Sequence, residues 1–182
     1  ESGNGAEFTS FTGTIAASIT QKKTGAYSLR CNPNSSTGYA TKPITSTKRV
    51  SFYLFIATAP IATTIIAGDA SADYNLRLTS VRKIDLYEAT TLRVSGATVL
   101  ALNTWYRISG TVNTADGHAY YWIDGVAEGD YDGTATILCD RYFGIVTANT
   151  TADIYIDDIV CDNTTGSTAD IGNIRCAAVA LP

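Results

Sequence analysis

The sequence predicts an all-β protein built as a sandwich or barrel of about a dozen short antiparallel strands. Apolar and polar residues alternate with a period of two along most of the chain, whereas helical spacing is nearly absent. Asp-Gly pairs, which favour tight hairpin turns, separate several of these runs. The chain also holds 13 Asp but only 4 Glu, a bias toward turns rather than helices. With 182 residues and no linker, we expect residues 1–182 to form a single domain.

The predicted strands follow one another at short intervals. In chain order, alternation marks residues 50–56, 74–79, 84–86, 92–94, 104–113 and 118–124. In the first run, one face carries Val50, Phe52, Leu54 and Ile56, and the other carries Ser51, Tyr53 and Phe55. Turn signals occur at residues 95–96, 116–117, 124–125 and 132–133, and residues 32–37 are predicted to form a surface loop.

The last predicted strand contains an irregularity. Ile154 and Ile156 are expected to face the core, and the chain is expected to bulge or turn at Asp157-Asp158. Uninterrupted alternation would place Ile159 with Tyr155 on the opposite face. The bulge therefore allows Ile159 to rejoin the core.

Charge and hydropathy exclude two classes of partner. The chain has 13 basic and 17 acidic residues, a net charge of −4, and no basic cluster larger than Lys22-Lys23 or Lys48-Arg49. Nucleic-acid affinity depends largely on Lys and Arg contacts to phosphates, so we expect no nucleic-acid partner. No run of 18 apolar residues is present, so we expect no membrane span. The chain begins without Met or a leader, which suggests a processed product or a part of a longer protein.

Four cysteines allow two disulfides in three pairings. Cys161–Cys176 is the preferred pair, because the intervening segment contains Asn163, Gly166 and Gly172 and can fold back. Cys31–Cys139 then follows by elimination. The alternative is that some of the four are buried thiols.

Several short segments resemble a known family. Residues 103–108 (NTWYRI) and 120–126 (YYWIDGV) resemble the W-x-x-I/V … Y-x-D-G hairpin of laminin-G-like domains, which belong to the concanavalin-A-like lectin/glucanase jelly rolls. Residues 154–160 (IYIDDIV) resemble the closing strand of such sandwiches and of related carbohydrate-binding modules, and residues 1–3 and 23–30 are similar to further segments. The resemblance implies a two-sheet antiparallel jelly-roll β-sandwich of the kind common in phage tail and other virion proteins.

The sequence argues against catalysis. Hydrolytic glucanases of this fold carry paired glutamates spaced E-x-D-x-x-E, because glycoside hydrolysis needs two carboxylates facing one cleft. In this chain Glu7, Glu88 and Glu128 stand alone. The single histidine, His118, is expected at an exposed hairpin start without a dedicated partner, and no C-x-x-C zinc pattern occurs. We therefore expect no enzymatic activity, with glycoside hydrolysis as the remaining alternative.

The resemblance also implies a structural calcium ion. In related carbohydrate-binding jelly rolls an early Glu and an Asp of the closing strand share this ion, which implicates Glu1 with Asp157 or Asp158. Backbone carbonyls would complete the six to eight oxygen ligands that calcium prefers. The alternative is that the two aspartates cap the bulge through backbone hydrogen bonds.

One aromatic patch is the candidate contact surface. If 104–113 and 118–124 form a hairpin, the core-facing set is Tyr106, Ile108, Val112, Tyr121 and Ile123. The opposite face then carries Trp105, Arg107, Tyr120 and Trp122. Such a patch fits three interpretations: a glycan or receptor platform, a contact with neighbouring subunits, or intramolecular packing.

These observations favour a non-catalytic surface module that binds a carbohydrate or receptor. A purely structural assembly or decoration protein is the alternative, because the low charge opposes homo-oligomer or lattice contacts only weakly. In either case we expect the protein on a virion surface or in the extracellular space.

Overall fold

The computed structural model describes residues 8–33, 36–42, 46–71, 73–139, 142–149, 151–164 and 169–172. None of these segments forms a helix long and apolar enough to cross a membrane. Within them the chain forms strands only, which are β1 (Ser10–Gly13), β2 (Ile15–Ser18), β3 (Ser28–Cys31), β4 (Ser36–Thr41), β5 (Arg49–Thr58), β6 (Thr64–Ala67), β7 (Tyr74–Leu78), β8 (Ile84–Glu88), β9 (Thr91–Val94), β10 (Trp105–Val112), β11 (His118–Ile123), β12 (Val126–Asp132), β13 (Tyr142–Asn149) and β14 (Asp153–Asp162).

The strands form two antiparallel sheets of seven strands each. The first sheet has the order β1-β4-β13-β6-β7-β8-β9, and the second has the order β12-β11-β10-β5-β14-β3-β2. This arrangement confirms the predicted two-sheet antiparallel jelly-roll β-sandwich. The central strand β5 pairs with β10 on one side and with β14 on the other.

The core lies between the two sheets. Phe52 of β5 packs edge-on against Phe143 of β13, with ring centroids 5.8 Å apart, and both are fully buried. Two buried tyrosines also satisfy their hydroxyl groups there: Tyr74 donates to the Gly117 carbonyl at 2.7 Å, and Tyr121 to the Ile84 carbonyl at 3.1 Å. Buried phenols need such partners, because an unpaired polar group costs free energy in the interior.

The turns on either side of β11 differ from one another. At the β11–β12 turn, Asp124 and Gly125 both adopt positive φ angles, 51° and 84°, as the predicted two-residue hairpin turn requires. The β10–β11 connection is longer than a two-residue turn, and the Gly117 N–H donates to the Asn113 carbonyl at 2.8 Å. The strand positions predicted around Asp116-Gly117 are nevertheless confirmed, with Ile108 opposite Ile123.

The predicted irregularity in β14 is confirmed. The β5–β14 register shifts between Asp157 and Val160, and Asp158 adopts a φ of 48°. Ile154 and Ile156 face the core, and Ile159 returns to it with 3% exposure. A bulge thus keeps three isoleucines on one face of a ten-residue strand.

Two sequence predictions need correction. The loop predicted at residues 32–37 is shorter, because β4 already begins at Ser36. The Cys31–Cys139 disulfide is not formed, since Cys31 keeps a free thiol. That thiol packs toward Gly144 of the opposite sheet, whereas the Cys139 backbone pairs with Tyr74. Burial raises the pKa of the Cys31 thiol to about 12. The Cys161–Cys176 pair stays a prediction, because Cys176 lies outside the described residues.

Candidate ligand-binding site

The outer face of the second sheet carries two groups of ring side chains. We call this surface the aromatic face and define it by Phe55, Trp105, His118, Tyr120, Trp122 and Tyr155. Alternation along each strand turns these residues away from the core, and none belongs to the core cluster between the sheets. The face therefore contains the three aromatic residues that the sequence placed opposite the inward set.

Three rings stack along β11. The His118 and Tyr120 rings lie 4.4 Å apart and nearly parallel, at 9°. The Tyr120 and Trp122 rings lie 6.2 Å apart at 18°. Spacing by two residues along an extended strand brings the rings to the same side, where each ring covers a face of its neighbour.

A second group of rings crosses the sheet. Trp105 lies opposite Phe55 in the β5–β10 register, with ring centroids 5.3 Å apart. Phe55 in turn packs edge-on against Tyr155 of β14 at 5.7 Å. The Arg30 guanidinium lies 5.6 Å from the Tyr155 ring and pairs with Asp153 at 2.8 Å. Cross-strand register therefore extends the aromatic face over three neighbouring strands.

Arg107 lies between these two groups and is held by a distant segment. Its Nη1 donates to Asp170 Oδ1 at 2.8 Å and to the Gly172 carbonyl at 3.0 Å, while Nη2 donates to Asp170 Oδ2. Ser109 Oγ also donates to Asp170 Oδ1 at 2.7 Å. The hydrogen bonds from Arg107, and to a smaller extent the one from Ser109, lower the pKa of the Asp170 carboxyl group to about 2. These hydrogen bonds attach residues 169–172 to β10.

The predicted patch is consequently only partly accessible. Arg107 is 8% exposed, Trp122 9%, Phe55 5% and Tyr155 3%, so none of these four side chains forms an open platform. Trp105, His118 and Tyr120 are half-buried and keep part of their surface in solvent. No local pattern around Arg107 indicates this burial, since Asp170 lies 63 residues further along the chain.

His118 differs from its sequence prediction. It was expected at an exposed position without a dedicated partner, but it stacks on Tyr120 and its Nε2 lies 2.7 Å from Asp130 Oδ2. The β11–β12 register places Asp130 directly opposite Tyr120, diagonal to His118 on the same face. His118 is therefore part of the aromatic face.

Asp157 and Asp158, the aspartates proposed as calcium ligands, join the β14 bulge to Lys23 and Thr24 by hydrogen bonds. Asp157 Oδ2 accepts hydrogen bonds from the Lys23 and Thr24 N–H groups, at 2.7 and 3.1 Å, and its Oδ1 accepts from the Asp158 N–H. Asp158 Oδ1 accepts from Thr24 Oγ1 at 2.5 Å. Burial raises the pKa of Asp157, although the amide donors oppose that shift.

The fit to calcium is incomplete within the described residues. Asp158 Oδ2 is buried and has no hydrogen-bond partner, whereas the other three carboxylate oxygens of the pair already accept hydrogen bonds. No three His, Cys, Asp or Glu side chains of the described segments come together as a metal site. The two aspartates alone supply fewer than the six to eight oxygens that calcium takes. Glu1 lies outside the described residues, so calcium stays a prediction that melting curves with calcium and with EDTA can check.

The two described glutamates hold loops in place. Glu88 Oε1 accepts hydrogen bonds from the Thr134 and Ala135 N–H groups, and its Oε2 pairs with Arg93 at 2.9 Å. Glu128 Oε2 accepts from the N–H groups of residues 97 and 98, both at 2.9 Å. Each carboxylate thus has a structural role that accounts for its position.

Comparison with solved structures places this architecture in a broad class. An endo-β-1,4-glucuronan lyase from the fungus Trichoderma reesei is 11% identical, with a TM-score of 0.64 over 87% of this chain and 92% of that one. The carbohydrate-binding module CBM66 from Bacillus subtilis is 12% identical, with a TM-score of 0.60 over 85% and 96%. A structure of botulinum neurotoxin type C, whose cell entry depends on two ganglioside molecules, is 12% identical, with a TM-score of 0.56 over 87% and 43%.

These similarities concern the fold. The protein is a jelly-roll β-sandwich of the type found in carbohydrate-active enzymes and in carbohydrate-binding modules. No protein-family model matches the chain, and no curated protein sequence matches it. Because the class includes both enzymes and binding modules, function has to be argued from the site.

Proposed function

We propose that this protein is a non-catalytic carbohydrate-binding module that contacts its glycan or glycan-bearing receptor through the aromatic face. The observation that carries the proposal is the parallel stack of His118, Tyr120 and Trp122 on β11. Sugar rings bind proteins by laying their C–H faces on flat aromatic surfaces, while neighbouring polar groups orient the hydroxyls. On the aromatic face, the half-buried Trp105 ring and the outward edge of the β11 stack offer apolar surface, and Asp130 offers a carboxylate beside that stack.

The absence of catalysis is part of the same proposal. Glycoside hydrolysis needs two carboxylates poised on one bond, one of them as a proton donor. Glu88 and Glu128 are instead committed to backbone amides of loops. The sequence motifs add the expectation that the module acts on a virion surface or in the extracellular space.

The comparisons support a glycan as the partner class. One similar structure is a carbohydrate-binding module, and another belongs to a toxin whose cell entry depends on gangliosides. At identities of 12% they supply the fold and a precedent for its use, whereas the contact residues proposed for this chain rest on its own aromatic face.

The proposal is tested on a glycan array with the unaltered protein and a Tyr120→Ala variant. Tyr120 is half-buried and stands between two stacked rings, so its loss removes contact surface without opening the core. We expect the variant to bind the best glycan at least tenfold more weakly, a loss of about 1.4 kcal/mol. Tyr27→Ala is the matched control, since Tyr27 is 37% exposed and lies outside the aromatic face.

Two results would overturn the proposal. One is retention of no glycan by the unaltered, folded protein. The other is equal binding by the Tyr120→Ala and Tyr27→Ala variants, which would place the contact away from the aromatic face. Release of reducing ends from a bound glycan would contradict the non-catalytic part alone.

A further inference from the structure

The outer face of the first sheet carries an arginine in an unusual setting. Arg77 on β7 lies with its guanidinium carbon 3.8 Å from the centre of the Tyr87 ring on β8. Its Nε donates to Asn75 Oδ1 and its Nη2 donates to the Ala89 carbonyl, both at 2.8 Å. These contacts fix the plane of the guanidinium group. Two of its five N–H groups are used, and three remain to bind a ligand.

Arg77 has no carboxylate partner among the described residues. Arg82, in the turn before β8, likewise forms no ion pair with a described carboxylate, but it lacks the ring contact and donates to the Leu100 carbonyl. The other described arginines all pair with an acid within 4 Å, namely Arg30, Arg49, Arg93 and Arg107. Among the described arginines, Arg77 alone thus combines an immobilised guanidinium on a tyrosine ring with the lack of an ion pair within 4 Å.

The nearest candidate acid is directed elsewhere. Asp85 stands directly opposite Arg77 in the β7–β8 register. Its Oδ1 instead accepts hydrogen bonds from the Gly96 N–H at 3.0 Å and from Ser95 Oγ at 3.3 Å. Partial burial lowers the pKa of the Arg77 guanidinium, which reflects the cost of leaving this charge unpaired. An external anion would remove that cost.

We propose that Arg77, positioned by Asn75 and Tyr87, binds the carboxylate of an acidic sugar on the outer face of the first sheet. A planar guanidinium with parallel N–H groups matches a carboxylate in a bidentate fork. Leu92 on β9 lies opposite Tyr87 and is 46% exposed, so apolar surface for a sugar ring is present beside the tyrosine that holds the cation. This site is separate from the aromatic face and does not depend on the function proposed there.

An acidic sugar fits this position better than a peptide carboxylate. Proteins usually capture chain termini with unpaired backbone N–H groups arranged as a nest. Arg77 lies on β7, whose backbone pairs with β6 on one side and β8 on the other. The face therefore offers side chains only, which suits a ring that brings one carboxylate and a C–H surface.

The test uses two tetrasaccharides that differ only in the carboxylate. One is β-1,4-linked glucuronic acid and the other is β-1,4-linked glucose, and calorimetry measures both with the full chain. We expect the acidic tetramer to bind at least tenfold more tightly, and Arg77→Met to reduce its affinity to that of the neutral tetramer. Arg82→Met is the matched control, because it removes the same charge from the next turn without touching Tyr87. It should leave the preference unchanged.

A conservative variant keeps the proposal testable if Arg77→Met does not fold. Arg77→Lys retains the charge but loses the planar fork, and we expect most of the preference for the acidic tetramer to be lost. Equal affinity of the unaltered protein for both tetramers would overturn the proposal, as would binding of a hexapeptide carboxylate but not of the acidic sugar. So would a preference that survives in Arg77→Met.

The same titrations separate this site from the aromatic face. Loss of binding in Tyr120→Ala with no effect of Arg77→Met would refute the acidic-sugar site alone. Loss in Arg77→Met with no effect of Tyr120→Ala on any glycan would refute the function proposed for the aromatic face alone.

Discussion

The outer faces of the two sheets use arginine in opposite ways. On the second sheet, Arg107 is 8% exposed and its guanidinium is neutralised by Asp170. On the first sheet, two hydrogen bonds and the Tyr87 ring hold Arg77, but the carboxylate opposite it, Asp85, accepts a hydrogen bond from the Gly96 N–H instead. Arg107 therefore joins two distant segments of the chain, whereas the Arg77 charge remains available to a ligand.

The two arginines therefore have different roles, Arg107 in stability and Arg77 in ligand binding. A neutralised, buried arginine stabilises its segment and has little left for a ligand. An arginine held by a ring and by uncharged acceptors is costly unless something outside the chain pairs with it. Among the described residues, the aromatic face offers ring surface while its arginine, Arg107, is ion-paired, whereas the Arg77 face offers a cation near the exposed Leu92 side chain. Neutral and acidic sugars should therefore prefer different sheets.

The largest expected effect is on stability. Asp170→Asn should lower the free energy of unfolding by about 2–3 kcal/mol, because it leaves the Arg107 charge without its partner. Arg77→Met should cost about 1 kcal/mol, since it removes two hydrogen bonds but leaves no charge unpaired. Urea unfolding of both variants measures the difference.

Asp130→Asn is the control for this stability measurement, because the Asp130 side chain is 58% exposed and its loss should change little. If Arg77→Met destabilised the protein as much as Asp170→Asn, Arg77 would be a structural residue and the contrast between the faces would disappear.

The next effect concerns pH. The pKa of Asp170 is about 2 in the folded protein and near 4 in an unfolded chain. A carboxyl group with a depressed folded pKa contributes stability above its unfolded pKa, and that contribution disappears as the pH falls through the folded value. The unfolding free energy of the unaltered protein should exceed that of Asp170→Asn above about pH 4, and the two should converge toward pH 2. A constant gap over this range would contradict the role of the ion pair.

A smaller effect should appear in the salt dependence of binding. Binding of the acidic tetrasaccharide should weaken about threefold when sodium chloride rises from about 50 to 300 mM, because added ions screen the partly exposed Arg77. Binding of a neutral glycan at the aromatic face should be nearly unaffected. Calorimetric titrations at the two salt concentrations check this, and equal salt dependence for both ligands would remove the distinction.

The smallest effect is expected at His118, at one end of the ring stack on β11. His118→Phe keeps a flat ring against Tyr120 but loses the contact with Asp130. Because that pair is partly solvent-exposed, stability should change by less than about 1 kcal/mol, and glycan affinity should stay within about twofold. Thermal melting and the glycan array measure both. A large loss of binding would show that the His118 hydrogen bond, not the ring stack, contacts the glycan.

The sequence was most informative where periodicity decides the outcome. Alternation in 105–112 and 118–123 assigned Ile108 and Tyr121 to the core and Tyr120 to the outer face, as the structure confirms. The same rule predicted the β14 bulge, because three isoleucines could not otherwise share one face. These features depend on residues near one another in the chain.

Contacts between distant segments were not predictable in this way. Asp170 lies 63 residues from Arg107, and nothing in the local pattern of either residue indicates the other. Tyr87 reaches Arg77 only through the β7–β8 register and the direction of its side chain. The same limit applies to Cys31, whose buried thiol was assigned to Cys139 by elimination rather than from spatial proximity.

Tryptophan fluorescence offers the most direct test of the central claim that the aromatic face binds the glycan. The chain contains two tryptophans, and both of them, Trp105 and Trp122, lie on this face. Titration with the best glycan from the array should change their emission saturably, with the same affinity as calorimetry, and Tyr120→Ala should weaken both signals together. Calorimetric binding of that glycan with unchanged tryptophan emission would contradict the account and place the glycan elsewhere on the sandwich.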